Sequence, residues 1–128
     1  MASSETRPPP PLTRAALGAL GEQLAVGYLT DRGLTVLDRN WRTRHGELDV
    51  VARDGDAIVF CEVKARRGTG YGFPAAAVTP LKQQRLRSLA LQWLAAHDHH
   101  ARELRFDVVA VLVRPGRPAE VTHLPAAF

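Results

Sequence analysis

Two runs rich in β-branched and aromatic residues, 46–53 (GELDVVAR) and 57–65 (AIVFCEVKA), flank Arg53-Asp54-Gly55-Asp56. Asp-Gly between apolar runs is the strongest short-range hairpin signal, because a type I′ turn needs positive φ at both central residues. Taking Asp54-Gly55 as the loop pairs Arg53 with Asp56, Val51 with Ile58, Asp49 with Phe60 and Glu47 with Glu62. Side chains alternate faces along a strand. Glu47, Asp49, Val51, Ile58, Phe60, Glu62 and Lys64 are therefore expected on one face, and Leu48, Val50, Val59, Cys61 and Val63 on the other. Asp49 and Glu62 become diagonal neighbours roughly 7–8 Å apart at the backbone. Both faces carry apolar residues, as in a central strand pair covered by helices on each side.

The rest of the chain supplies those helices. Leu17, Leu20, Leu24, Ala25 and Tyr28 recur at helical spacing over 14–30, and Gly33 is a stop signal. Residues 34–41 read as a first strand. Residues 66–79 read as a mobile glycine-bearing loop. Thr79-Pro80 opens a second helix to about Ala96, with a stripe of Leu86, Leu89, Ala90, Trp93 and Leu94. Residues 104–113 read as a further strand and 119–124 as a short edge strand. The order αβββαβ predicts an antiparallel meander joined through a helical crossover to the last core strand. This is an α/β fold with a central mixed sheet flanked by helices.

The chain has 128 residues, enough for a single domain with a proper core over 14–128. Residues 1–13, with four consecutive prolines, read as a disordered tail. There is no apolar signal region and no run of membrane-spanning length, so the expected location is the cytoplasm, with no membrane partner. A single cysteine, Cys61, excludes an internal disulfide and a cysteine-based zinc cluster, and strand parity aims it away from the acids. The formal net charge of +4 is compatible with phosphate binding.

Asp49 and Glu62 are hard oxygen ligands of the kind that suit Mg²⁺ or Mn²⁺. Lys64 shares their face and is cast as a charge stabiliser beside a scissile phosphate. Glu47 is a partner for Arg42 or Arg44, or an outer support for the metal site. Arg42 and Arg44 could contact nucleic-acid phosphates, Arg66 and Arg67 with the following glycines could grip another, and Lys82 at a helix N-terminus could hold a further one. The bland readings are ordinary strand ion pairs, a solvated loop and a solvated helix face. Spacing alone leaves Glu22 a solvated helix acid beside the buried stripe. His97, His99 and His100 read as favourable cations at a helix C-terminus. Asp107, in an apolar strand, is expected to pair with an arginine.

Gly21-Glu22-x-x-Ala25, Asn40-Trp41-Arg42, Gly46-Glu47-Leu48-Asp49, Val59-Phe60-x-Glu62-Val63-Lys64-x-Arg66 and Phe106-Asp107-Val108-Val109 together resemble the YraN-like family of small bacterial proteins. That family in turn resembles the PD-(D/E)xK endonuclease superfamily, especially the archaeal Holliday-junction resolvases. The resemblance implies a restriction-endonuclease-like fold. It maps Asp49 to the motif acid, Glu62 and Lys64 to the ExK pair, and Glu22 to the helix-borne acid, which reverses the bland reading of Glu22. Leu48 stands where the motif has proline. It implies a metal-dependent nuclease acting on DNA at branched or recombination intermediates, and a homodimer as in the resolvases. Two other readings compete: a non-catalytic nucleic-acid-binding protein on the same fold, and a scaffold docking a protein through its proline tail or its last strand.

Overall fold

The computed structural model describes residues 12–68 and 78–128, so residues 1–11 of the proline-rich tail and most of the 66–79 loop lie outside the described residues, while Thr13 belongs to the start of the first helix. The elements are α1 (Arg14–Asp31), β1 (Thr35–Thr43), β2 (Gly46–Asp54), β3 (Ala57–Arg67), α2 (Pro80–Ala96), β4 (Glu103–Val113) and β5 (Glu120–Leu124). They form one five-stranded sheet in the order β1-β2-β3-β4-β5. β1, β2 and β3 form an antiparallel meander, β4 joins β3 in parallel after the α2 crossover, and β5 returns antiparallel along β4. This is the αβββαβ order with a mixed sheet, closed by the short edge strand. Arg66 and Arg67 belong to β3 rather than to a loop.

α1 covers one face of the sheet and α2 the other. Against α1 pack Val50, Ala52, Val59, Cys61, Val109 and Val111. Against α2 pack Leu48, Val51, Ile58, Phe60, Phe106 and Val108, around a fully buried Trp93. Both helices begin on a threonine cap: the Oγ1 of Thr13 accepts from the N–H of Ala16 at 3.0 Å, and that of Thr79 from the N–H of Lys82 at 3.2 Å. Such caps satisfy N–H groups that have no partner within the helix.

Three details of register depart from the sequence expectation. The β2–β3 turn is Gly55-Asp56, closed by Asp54↔Ala57, so Val51 faces Phe60 rather than Ile58. Gly55 has φ +60° and Asp56 does not share the positive φ, the pattern of a II′ rather than an I′ turn. The slip is two residues, which preserves which residues share a face, because the side-chain period is two. Leu48, however, packs with Val51 in the α2-side core and not opposite it. The buried side of α1 is also rotated from expectation: Leu17, Gly21, Glu22, Ala25 and Leu29 are buried, while Leu20, Leu24 and Tyr28 are only half-buried.

Candidate active site

The displacement of Leu48 locates the irregularity that builds the site. Arg39 pairs with Val50 and Trp41 with Leu48, so Asn40 and Asp49 lie between these two pairs. On both strands the alternation reverses there. Val50 and the Arg39 head group lie toward α1, whereas Leu48 and Trp41 pack into the α2-side core. Asn40 has φ +52°, the left-handed region that Asn tolerates better than most side chains. The β2–β3 ladder runs only from Asp54↔Ala57 to Val50↔Cys61. Beyond it, Oδ2 of Asp49 accepts from the backbone N–H of Val63 at 2.8 Å. A side-chain oxygen rather than a strand carbonyl therefore satisfies that amide.

Asp49 and Glu62 come together, as the hairpin predicts, and their carboxyls lie within hydrogen-bonding reach of one another. Burial, and then the charge of Glu62, push the Asp49 carboxyl up to about 7, against the opposing pull of the Val63 N–H. Glu62 is only 6% exposed. Its Oε2 lies 2.5 Å from Nζ of Lys82 and 3.4 Å from Nζ of Lys64. Lys64 thus sits beside the acids on its own strand, and Lys82 arrives from the first turn of α2. Burial alone would lower the Lys82 ammonium, but its hydrogen bond and ion pair with Glu62 outweigh this and hold it above its ordinary value.

Glu22 is 8% exposed, and its Oε1 accepts from Nδ2 of Asn40 at 2.7 Å and from Nε of Arg39 at 3.2 Å. It is a buried, partnered acid rather than a solvated one. Gly21 explains how α1 comes close enough, since a Cβ there would meet Cβ of Ala65 on β3 at 2.5 Å. Glu47 pairs with Arg42 at 3.0 Å in an exposed surface ion pair. Arg44 lies exposed in the turn between β1 and β2.

Two recesses of about 600 and 790 Å³ share Arg14, Glu47, Asp49, Val63 and Lys64 as a common wall. The first lies against α1 and adds Glu22, Arg39, Asn40 and Arg42. The second lies against α2 and adds Glu62, Lys82 and Arg85. Buried acids are therefore rimmed by cations contributed by both helices, β1 and β3.

Among the described residues, no three or more His, Cys, Asp and Glu side chains gather closely enough to hold a metal ion. Glu22 is turned to Asn40 and Arg39. The pair Asp49 and Glu62 still suits Mg²⁺, which keeps several waters and commonly takes one or two protein carboxylates plus substrate phosphates. Two adjacent carboxyls, that of Glu62 buried and that of Asp49 half-buried, with the Asp49 proton held to about pH 7 by desolvation and then by the charge of Glu62, form a site that a divalent cation would relieve.

A model of the uncharacterised protein family UPF0102 matches residues 21–111, a span that includes Glu22, Asn40, Asp49, Glu62, Lys64 and Lys82. The chain belongs to that family. It is similar to a UPF0102 protein of Rhodococcus opacus, 52% identical over 113 residues, covering 88% of this chain and 96% of the relative. It is 53% identical over 115 residues to one from Nocardia farcinica, covering 90% and 91% of the two chains. With one from Beutenbergia cavernae it shares 56% identity over 109 residues, 85% and 92% of the two chains. This UPF0102 chain thus matches its relatives over nearly their whole length.

The remaining polar residues fall elsewhere. Asp107 is fully buried at the opposite side of the fold from α2, where Arg105 grips it through Nε and Nη2 at 2.9 and 3.0 Å. His97 is stacked on Trp93 at 4.3 Å between ring centroids and faces Asp38 at 3.5 Å, so it is part of a packed cluster rather than a free helix-end cation. Cys61 is buried on the α1 side, away from Phe60 and the α2-side core, and burial pushes its thiol up. Among the described residues, no helix is long and apolar enough to cross a membrane. Asn40, Arg39 and Arg14 are the site residues that spacing did not single out. An Asn inside a strand, where that residue is depleted, was the available signal for the first.

Proposed function

We propose that this UPF0102 protein is a divalent-metal-dependent nuclease that hydrolyses phosphodiester bonds in DNA. The observation that carries the reading is the adjacency of the Asp49 and Glu62 carboxyls, with Lys64 beside them, in a cleft rimmed by Arg14, Arg39, Arg42, Lys82 and Arg85. The resemblance to the PD-(D/E)xK superfamily supports the same assignment of Asp49, Glu62, Lys64 and Glu22.

In this reading Asp49 and Glu62 hold Mg²⁺ or Mn²⁺. The chemistry supplied on binding is Lewis acidity and a water more readily deprotonated. Lys64 places its ammonium against the phosphate and stabilises the charge that grows there. Glu22, held by Asn40 and Arg39, orients solvent from the α1 side. The arginines of the rim bind flanking phosphates and fix the strand without reading its sequence. Branched or recombination intermediates are the proposed substrates, and a homodimer the proposed assembly. One observation favours a second reading, a non-catalytic nucleic-acid-binding protein: Glu62 is already neutralised by two lysines.

The deciding experiment is cleavage of labelled linear, single-stranded, flapped and four-way-junction DNA with Mg²⁺ or Mn²⁺. Asp49→Ala and Lys64→Ala are run alongside. The nuclease reading expects metal-dependent cutting that each substitution lowers by at least about 10²-fold. DNA binding that survives Asp49→Ala, with no cutting by any form, establishes the binding module instead.

A further inference from the structure

The two lysines at Glu62 are not equivalent. Lys64 lies two residues along the same strand, with its ammonium 3.4 Å from Oε2 of Glu62. Lys82 reaches the same oxygen, at 2.5 Å, from the first turn of α2. Its side chain is 35% exposed and ends in the α2-side recess beside Arg85 and Arg14. Four rotatable methylenes let it either hold Glu62 or swing outward into that recess. What it holds is the buried carboxylate that, in the proposed function, takes the divalent cation. An ammonium at 2.5 Å stands where a second positive charge would have to approach Glu62. The same ammonium, released, faces a recess rimmed with two arginines and suited to a phosphate.

We propose that Lys82 links metal binding to nucleic-acid binding: it is the tethered counter-ion of Glu62 in the metal-free protein, and turns to a DNA phosphate once a divalent cation neutralises Glu62. This rests on the nuclease reading and adds a regulatory property to it. Each ligand favours the state in which Lys82 is swung out. Metal and DNA therefore bind cooperatively, by the same factor whichever binds first.

The test is direct binding of Mn²⁺ by calorimetry to the full chain. Wild type, Lys82→Gln and Lys82→Arg are each measured with and without a phosphorothioate DNA strand that resists hydrolysis. Lys82→Gln is expected to bind Mn²⁺ alone about tenfold more tightly than wild type, since the competing charge is gone. The DNA strand is expected to tighten Mn²⁺ binding about tenfold for wild type and Lys82→Arg, and by less than about twofold for Lys82→Gln. Lys82→Met is a second neutral variant should Lys82→Gln alter the fold, which circular dichroism reports. Equal or weaker Mn²⁺ binding by the neutral variants, or the same DNA-driven tightening in all forms, overturns the linkage and leaves the nuclease reading standing. Absence of Mn²⁺ binding in every form overturns both.

Discussion

Asn40 donates from Nδ2 to Oε1 of Glu22 at 2.7 Å while its own backbone is held at φ +52°. The strained conformation and the hydrogen bond belong together, since the reversal of β1 at this residue is what turns the amide toward α1 rather than outward. The two roles can be separated. Asn40→Gly keeps the left-handed backbone at no steric cost and loses the amide, whereas Asn40→Ala loses both. Asn40→Ala is expected to destabilise by about 1–3 kcal/mol and Asn40→Gly by clearly less, read from urea unfolding. Both are expected to slow metal-dependent cutting to a similar degree. Wild-type cutting by Asn40→Gly would show that Asn40 matters only as backbone.

The Asp49 carboxyl, raised to about 7 by burial and by Glu62, makes a signed prediction about stability. The unfolded chain releases this proton near the ordinary value of 3.8, and the folded protein holds it to about 7. Between those limits the folded state binds more protons, so metal-free stability falls as pH rises from about 4 to about 7 and is level above. The total is on the order of 4 kcal/mol. Asp49→Asn is expected to remove that slope and to be more stable than wild type above pH 7. Millimolar Mg²⁺ is expected to restore much of the loss in wild type alone. Thermal unfolding across pH, with and without Mg²⁺, checks both statements. A wild-type curve that rises over this range would exclude the shift.

How far the site could be read from the chain depends on the range of the rule used. The hairpin acids were legible because a turn signal and a two-residue period are local. An error of two residues in register still left Asp49 and Glu62 together. The crossover helix and its buried Leu86, Leu89, Ala90 and Trp93 were legible from periodicity. The reversal at Asn40 and Asp49 was not, because a single left-handed residue leaves no mark on a hydrophobic pattern. The buried side of α1 was not legible, because neither Gly21 nor Glu22 marks a core face in an apolar periodicity. One is buried for its lack of a side chain and the other for its partners. Lys82 could be read as a phosphate ligand, but its contact with Glu62 depends on where the α2 crossover lands, which is tertiary information.

Gly21 offers a test of that close approach. In an exposed helix interior, Gly→Ala usually stabilises by about 1 kcal/mol. Here the new methyl would stand 2.5 Å from Cβ of Ala65, so α1 must shift from β3. Gly21→Ala is expected to destabilise by about 1–3 kcal/mol and to weaken Mn²⁺-dependent cutting by moving Glu22. Ala65→Gly removes the opposing methyl. The double variant is expected to recover most of the stability lost in Gly21→Ala, relative to Ala65→Gly alone. Additive losses in the double-mutant cycle would mean that the two positions are not in contact.

Asp107 serves the fold rather than the cleft, and its prediction separates the two. Fully buried on β4, it accepts from Nε and Nη2 of Arg105, from Nε2 of His123 at 2.7 Å and from the N–H of Ala126 at 2.9 Å. These bonds tie β5 and the segment after it to β4. Arg105 also reaches Asp54 at 2.9 Å, which extends the tie to the end of β2. Asp107→Ala leaves the half-buried Arg105 guanidinium with Asp54 alone and strands the Ala126 N–H and His123, a loss of about 2–3 kcal/mol. The loss is expected in urea unfolding, and hydrogen exchange is expected to rise first in β5 and in Ala126. Mn²⁺ affinity of the protein that remains folded is expected to stay within about twofold of wild type, because none of these partners lines the acid cleft. A loss of Mn²⁺ affinity larger than the loss of folded protein would place Asp107 in communication with Asp49 and Glu62.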